Sequence, residues 1–448
     1  MSSRDSSRPR IAAILMECNP LHEGHRYILQ EARRCTGAEA VIVLLGGDFA
    51  QRGIPAIESK ELRTRQLLTC GADLVLELPV VYAASSAEYF ARGGMEILNR
   101  LGLVTDLVFG SESGSLDALL TQAQFLADES ADFQVLLRKF LADGLSYPAA
   151  RVKAAASCYT PVCLSDTSND ILAVEYLKAL LQMTKGTQSA VLSTPQDRQT
   201  ASLCGMQIHA IPRISAVSAS TLREQRRQRE DGIFADDFSD ILLARLLDIM
   251  HDPERSYVDY AGVSRDLSNR MERFLPEFVS WSQFCSILKT RNITYSAISR
   301  ALLHLMLGIT KEYEQFQVPS YVRVLGCRKN ARFLIGRMQS NGLTVFPQLP
   351  KDPCRQLLVD IRASELYDYI CRRKLTAAAQ SLSNESEEVN VQGATNEREA
   401  ANAQKAANER KTTNAQGSVK ALKKTPPAGF PAERISEYTK RLIVVDES

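Results

Sequence analysis

Four short apolar runs frame the first quarter of the chain: Ile11–Met16, Ala40–Leu45, Leu74–Leu78 and Asp106–Phe109. Between them, His25–Arg34, Glu58–Cys70 and Ser86–Leu101 carry apolar positions at three- and four-residue spacing. Continuous apolar strands separated by helices predict a parallel sheet covered on both faces. Ser165–Leu181 reads as a further helix with Asp166 or Ser168 as N-cap, and Ala190–Leu192 and Gln207–Ile211 read as strands. The pattern is that of a doubly wound, Rossmann-like α/β domain over residues 10–232. Beyond Asp236 it becomes helical in Ile241–Met250, Ser264–Phe274, Val279–Lys289 and Tyr295–Leu307, which predicts a mainly helical domain over residues 233–380. Inside that region Tyr321–Gly326 reads as a strand, Asn330–Met338 as a helix and Cys354–Arg373 as a longer one.

The ends differ. Residues 1–9 are polar and read as a disordered N-terminus rather than a secretory signal. Residues 381–428 are rich in Asn, Ala, Gln, Glu, Lys and Thr and nearly free of large apolar side chains. Such a segment cannot offset its ordering entropy by burial and reads as a disordered insertion or linker. In the C-terminal segment, residues 429–448, Glu433–Val445 is expected to form a returning helix and strand.

Composition adds little beyond exclusions. With 448 residues, 45% hydrophobic and 24% charged, the chain has ample core material and is not wholly disordered. No apolar run approaches the roughly 18 residues that a membrane span needs. Ten cysteines without a CxxC pair read as free thiols in a reducing compartment, so a cytoplasmic location is expected and no zinc site. A net charge of +2 is silent on nucleic acid, so local clusters must decide. Arg223, Arg226, Arg227 and Arg229 form one, and Arg323, Arg328, Lys329, Arg332 and Arg337 another, with Tyr321 nearby. Each suits RNA phosphates, but such a cluster taken alone is more often a solvated helix face.

The chemistry concentrates between the first strand and the first helix. Two of the five histidines fall in His22-Glu23-Gly24-His25. Gly24 permits close backbone approach, the helix start offers amides and a positive dipole end, and two imidazoles can donate to phosphoryl oxygens. Two surface histidines in a βα turn is the plain alternative. The strand before them, Asn19-Pro20 and the helix after them favour phosphate chemistry.

These residues closely resemble the HIGH-type nucleotidylyltransferase superfamily, whose second element is matched by Val217-Ser218-Ala219-Ser220-Thr221-Leu222-Arg223. With Gly47–Ala56, Gly71–Pro79 and Phe109-Gly110-Ser111-Glu112, the stretch Glu17–His25 is similar to the bacterial tRNA(Met) cytidine acetate ligase family. Asn292–Arg300 and Tyr321–Gly326 extend the resemblance over most of residues 10–375. It implies that acetate and ATP, accompanied by Mg2+, give acetyl-adenylate, whose acetyl group passes to N4 of the wobble cytidine of elongator tRNA(Met). It implies His22 and His25 as catalytic residues. It assigns Leu15, Met16, Glu17, Cys18, Asn19, Pro20, Leu21, His22, Glu23, Gly24, His25, Arg26, Tyr27 and Ile28 to the nucleotide. It adds Gly110, Asn169, Arg213, Ile214, Ser218, Ser220 and Arg223 to the same ligand. No aspartate-rich metal motif is present, so the ion is expected with ATP. Two positions depart from the family: Cys18 stands where a Tyr is usual, and Asp48 where an Asn is usual. A carboxylate there would repel acetate unless Arg52 neutralised it. Glu58, Lys60, Arg63 and Arg65 read as a solvated first helical turn, or else Lys60 or Arg63 holds the carboxylate or pyrophosphate. The other functions open to this sequence are a cofactor adenylyltransferase or a pantothenate-synthetase-like ligase of the same superfamily, and a non-enzymatic RNA-binding protein.

Overall fold

The computed structural model describes residues 9–184, 202–214, 217–315, 319–339, 343–380, 440 and 442–446. The strand expected at Ala190–Leu192, residues 1–8, the 381–428 insertion and the helical part of Glu433–Val445 lie outside them. Five strands form the parallel centre: β1 (Ile11–Met16), β2 (Ala40–Gly46), β5 (Leu74–Leu78), β6 (Asp106–Ser111) and β8 (Met206–Pro212). A two-stranded hairpin, β3 (Phe49–Ala50) and β4 (Ile54–Pro55), projects after β2. The remaining strands are β7 (Ser202–Leu203), β9 (Tyr321–Arg328), β10 (Thr344–Phe346) and β11 (Ile443–Val445). The order across the sheet is β10-β9-β5-β2-β1-β6-β8-β7, with β11 also on β9.

Burial explains why the parallel strands are apolar throughout. Every residue of β1, β2 and β5 is buried. Alternate residues of β1 feed two separate cores, Ile11, Ala13 and Leu15 on one face and Ala12, Ile14 and Met16 on the other. Helices α1 (Glu23–Thr36) and α2 (Lys60–Thr69) cover the second face through Leu29, Ala32, Leu67 and Leu68. Helices Ala87–Arg100, Leu116–Asp128 and Ser168–Thr184 cover the first. Their apolar residues merge with Leu242, Leu267, Trp281 and Leu302 of the helical region into one core. Strand order reverses between β1 and β6, so the carboxyl ends of these two strands open a crevice at a topological switch point.

Three features differ from the sequence reading. Helices Ala131–Ala142 and Tyr147–Ser157, with Leu116–Asp128, fill a stretch to which no element had been assigned. The sheet does not stop at residue 232, because β9 adds antiparallel to β5, Leu74 facing Cys327, and β10 and β11 line up parallel along its other edge. The helix Ser168–Thr184 is capped by neither Asp166 nor Ser168. The Glu112 carboxylate, from the end of β6, accepts from the Asn169 and Asp170 amides at 3.4 and 3.0 Å.

The first turn of α2 is not solvated. Lys60 and Arg63 are 0% and 1% exposed, and neither lines the cleft described below. Lys60 Nζ lies 2.8 Å from Glu77 and 3.4 Å from Asp48, and donates to Ser364 Oγ at 2.5 Å. Ser364 Oγ in turn donates to Asp48 at 2.8 Å, and Arg323 pairs with Glu77 at 3.2 Å. Asp48 is therefore paired from inside by Lys60. Arg63 donates to the carbonyls of Glu17 (2.7 Å), Gly46 (2.9 Å), Glu58 (3.0 Å) and Gly47, clamping the carboxyl ends of β1 and β2. Lys60→Met should cost about 3–5 kcal/mol in urea unfolding, because it leaves Asp48 and Glu77 buried with one positive charge fewer. A change near zero would show that this ion cluster is not needed for the fold.

Candidate active site

β1 ends in Glu17-Cys18-Asn19-Pro20, with Cys18 at φ 49° and a cis Asn19–Pro20 bond, and delivers His22 to the N-cap of α1. The Gly24 amide donates to His22 Nδ1 at 3.0 Å, and the His22 amide donates to His25 Nδ1 at 3.2 Å. An Nδ1 that accepts carries no proton, so both neutral rings hold theirs on Nε2. The rings lie 4.0 Å apart, centroid to centroid, and both line the cleft. Burial, then His22 and Arg213, pushes His25 down to about 3; burial, then Arg213, also lowers His22. Two neutral Nε2–H donors therefore face the crevice at physiological pH.

Gly24 has a different reason from the one its position suggested. A Cβ there would lie 2.8 Å from His22 Cε1, so the missing side chain makes room for the imidazole. The amides of Gly24, His25 and Arg26 are also taken, by His22 Nδ1 and by the His22 carbonyl (2.9 and 3.3 Å). The imidazoles thus present to a ligand the donors that bare helix amides were expected to supply.

The second element arrives beside this loop. Ser218 caps helix Ala219–Gln228 by accepting from Thr221 N at 3.1 Å. Arg223, one turn in, donates to the Asn19 carbonyl at 2.8 Å and to Ser220 Oγ at 2.9 Å. Asn19 Oδ1 accepts from the Ile57 amide at 2.9 Å, tying the loop to the segment after β4. Glu17 is part-buried at the cleft; desolvation raises its pKa, opposed by the Gln51 amide at 2.5 Å and then by Arg63, Arg223 and Arg52.

Together these elements line a cleft of about 1330 Å³. Leu15, Met16, Glu17, Cys18, Asn19, His22, Gly24, His25, Tyr27 and Ile28 border it, with Gly110, Asn169, Arg213, Ile214, Ser218, Ser220 and Arg223. Pro20, Leu21, Glu23 and Arg26 do not. Leu21 packs into the α1 core, while Arg26 turns outward to Glu23 (3.3 Å) and Cys70 Sγ (2.9 Å). Asn169 Nδ2 and Arg213 Nη1 share Glu112 Oε1 at 2.7 and 3.1 Å.

The cleft is completed by the hairpin residues Gln51 and Arg52 and by Asn292, Thr294, Tyr295 and Arg300, among which the sequence reading gave a role only to Arg52, as a partner for Asp48. Their signal was that Gly47–Ala56 and Asn292–Arg300 both resembled the family. Among the described residues no group of three His, Cys, Asp or Glu could hold a metal ion. No helix among them is long and apolar enough to cross a membrane.

The basic clusters divide. Arg223 and Arg227 line the cleft, whereas Arg226 pairs with Glu58 at 2.5 Å. The second cluster splits, with Lys329, Arg332 and Arg337 exposed and the rest turned inward. Arg323 is buried on Glu77, Arg328 donates to the Leu68 carbonyl at 2.8 Å, and Tyr321 is 1% exposed and bonded to Asp360. Its exposed aromatic is Phe333, with Arg337 5.3 Å over the ring, and the cluster does not line the cleft.

A crevice at the switch point, paired imidazoles on the first helix and a capped Ser–Arg helix beside them define a nucleotidyl transferase. The chain belongs to the HIGH nucleotidyl transferase family, whose model matches residues 10–383. Within that class its relatives are tRNA(Met) cytidine acetate ligases. That of Acetivibrio thermocellus is 31% identical over 80% of this chain and 94% of its own. That of Halothermothrix orenii is 32% identical over 74% and 85%. The crystal structure of Thermotoga maritima TmcAL bound with alpha-thio ATP superposes with a TM-score of 0.69 at 27% identity, over 81% of this chain and 94% of that one.

His25→Ala should fold normally and slow nucleotide chemistry by about 100-fold or more, the loss expected for one transition-state donor. Near-wild-type turnover would remove His25 from the site. The lowered pKa also has a stability consequence. Between about 3 and 6.5 the unfolded chain binds a proton at His25 that the folded chain does not, so this ring costs stability as pH falls through that window. His25→Gln should therefore lose less stability than wild type between pH 6.5 and 4.5; parallel urea-midpoint curves would contradict the buried, neutral ring.

Proposed function

We propose that this chain is an ATP-dependent ligase that activates acetate as acetyl-adenylate and acetylates N4 of the wobble cytidine of elongator tRNA(Met). The observation that carries the reading is the locked pair of Nε2–H donors at the switch point, in a cleft shared with the helical region. At about 1330 Å³ the cleft exceeds the roughly 300–1,000 Å³ typical of sites for one small ligand, as a site for a nucleotide and a second substrate should. The relatives' names supply the acid and the RNA.

In the first step a carboxylate oxygen attacks the α-phosphorus in line and pyrophosphate leaves with the electrons of the broken P–O bond. His22 and His25 donate to phosphoryl oxygens as charge develops there, and being neutral they need no proton transfer to do so. Arg223, latched to the Asn19 carbonyl, sets its remaining charge beside the same loop. Magnesium would enter with the nucleotide, held by phosphates and water, since the described residues form no cage for it. In the second step the cytosine amine attacks the acetyl carbon, AMP leaves, and the amine gives up its proton. A wobble base is single-stranded and can be splayed into a cleft at modest cost. Arg223 and Arg227 at the cleft wall are suited to the RNA backbone.

Acetate-dependent ATP–pyrophosphate exchange, run with and without bulk bacterial tRNA, tests the reading. Exchange that requires acetate, with labelled acetyl appearing on tRNA, is the expected result. Exchange driven by another acid, with a small amine as acceptor and no RNA, would replace it with a small-molecule ligase of the same superfamily. No exchange with any acid would favour an RNA-binding protein.

A further inference from the structure

Arg300 lies on helix Tyr295–Leu307, in the helical region, and lines the same cleft as the histidines. Its placement is rigid. Ser299 Oγ donates to the Gly53 carbonyl at 2.8 Å and accepts from Trp281 Nε1 at 3.1 Å. Gly53, at φ 73°, lets the hairpin approach so closely that a Cβ there would fall 2.3 Å from the Arg300 nitrogen. The same hairpin turn supplies the Gln51 amide that holds Glu17. The wall bearing Arg300 is thereby tied to the loop that ends β1.

Arg300 lacks a counter-ion. Among the described residues its side chain has one acceptor, the Gln51 carbonyl, at a marginal 3.5 Å. Three carboxylates line the cleft, and each is engaged elsewhere: Glu88 with Lys178 at 2.7 Å, Glu175 with Arg151 at 2.6 Å, and Glu17 with the Gln51 amide. Burial lowers the Arg300 pKa with no carboxylate opposing the shift. A mostly buried guanidinium facing a cavity without an anion is costly unless a ligand brings one. In the proposed reading the phosphates take their donors from His22, His25 and Arg223, which leaves Arg300 for the acid substrate.

We infer that Arg300 binds the carboxylate of the acid substrate, donating to one oxygen and leaving the other directed at the α-phosphorus. This deepens the acetate-activating reading and rests on it. A planar guanidinium suits a carboxylate better than an ammonium does, and an enclosed position suits a small acid better than an RNA backbone.

The test is ATP–pyrophosphate exchange titrated with acetate in wild type, R300K and R300A, with thermal melting as a check on folding. The KM for acetate should rise about tenfold or more in both variants while the KM for ATP stays unchanged. Added guanidinium at non-denaturing concentration should restore part of the R300A exchange, which a merely structural role would not allow. An unchanged acetate KM, a rise confined to the ATP KM, or a defect seen only with tRNA would overturn the assignment. If R300A melts early, R300K decides by the same criteria. Wild-type protein without acetate-dependent exchange would remove the acetate reading and this inference together, whereas wild-type exchange with unaffected variants removes this inference alone.

Discussion

Two backbone amides decide the chemistry of this site. The first turn of any helix leaves N–H groups without intrahelical acceptors. Here the Gly24 amide and the His22 amide just before α1 are directed into imidazole Nδ1 atoms. The Nδ1 that satisfies the helix start and the Nε2–H offered to a ligand therefore belong to the same ring. By accepting at Nδ1, each ring is fixed as the Nε2–H tautomer and held at one orientation, and burial keeps it neutral. The helix start is carried outward by one ring width into the crevice between β1 and β6.

That arrangement needs a rigid floor, which the buried charges of α2 provide. Arg63 gathers carbonyls from the ends of β1 and β2 into one guanidinium. Lys60 closes a cluster of Asp48, Glu77 and Ser364, which joins β5 and the base of the hairpin to the segment around residue 364. Asp48, which stood out as a hazard to an incoming acid, belongs to this floor and is 3% exposed. The hairpin resting on it carries Gln51 and Arg52 to the cleft and meets Arg300 through Gly53, so both walls hang from the same support.

The parallel strands were legible because both faces of each are buried, and an unbroken apolar run is the direct signature of that state. The paired histidines were legible because their order along the chain is also their order around one helical turn. What escaped depends on partners far apart in sequence. Lys60 and Arg63 looked like a solvated turn because Ser364, Glu77 and the strand-end carbonyls that satisfy them are not local. Arg323 and Arg328 looked like an RNA face, yet β9 inserts them against Glu77 and the end of α2. Glu112 caps a helix that begins more than fifty residues later, where no local residue could announce it. Arg300 stood inside a recognisable motif, but only the cleft shows that it lacks a carboxylate.

The central claim is that His22 and His25 are neutral Nε2–H donors before any ligand arrives. Long-range 15N–1H correlation spectra of the histidine side chains in the free protein, assigned with His22→Gln and His25→Gln variants, measure this directly. The account predicts an unprotonated Nδ1 and a protonated Nε2 on both rings at pH 7.5, with His25 unchanged down to pH 6. A Nδ1–H tautomer on either ring, or an imidazolium forming over that range at His25, would contradict it.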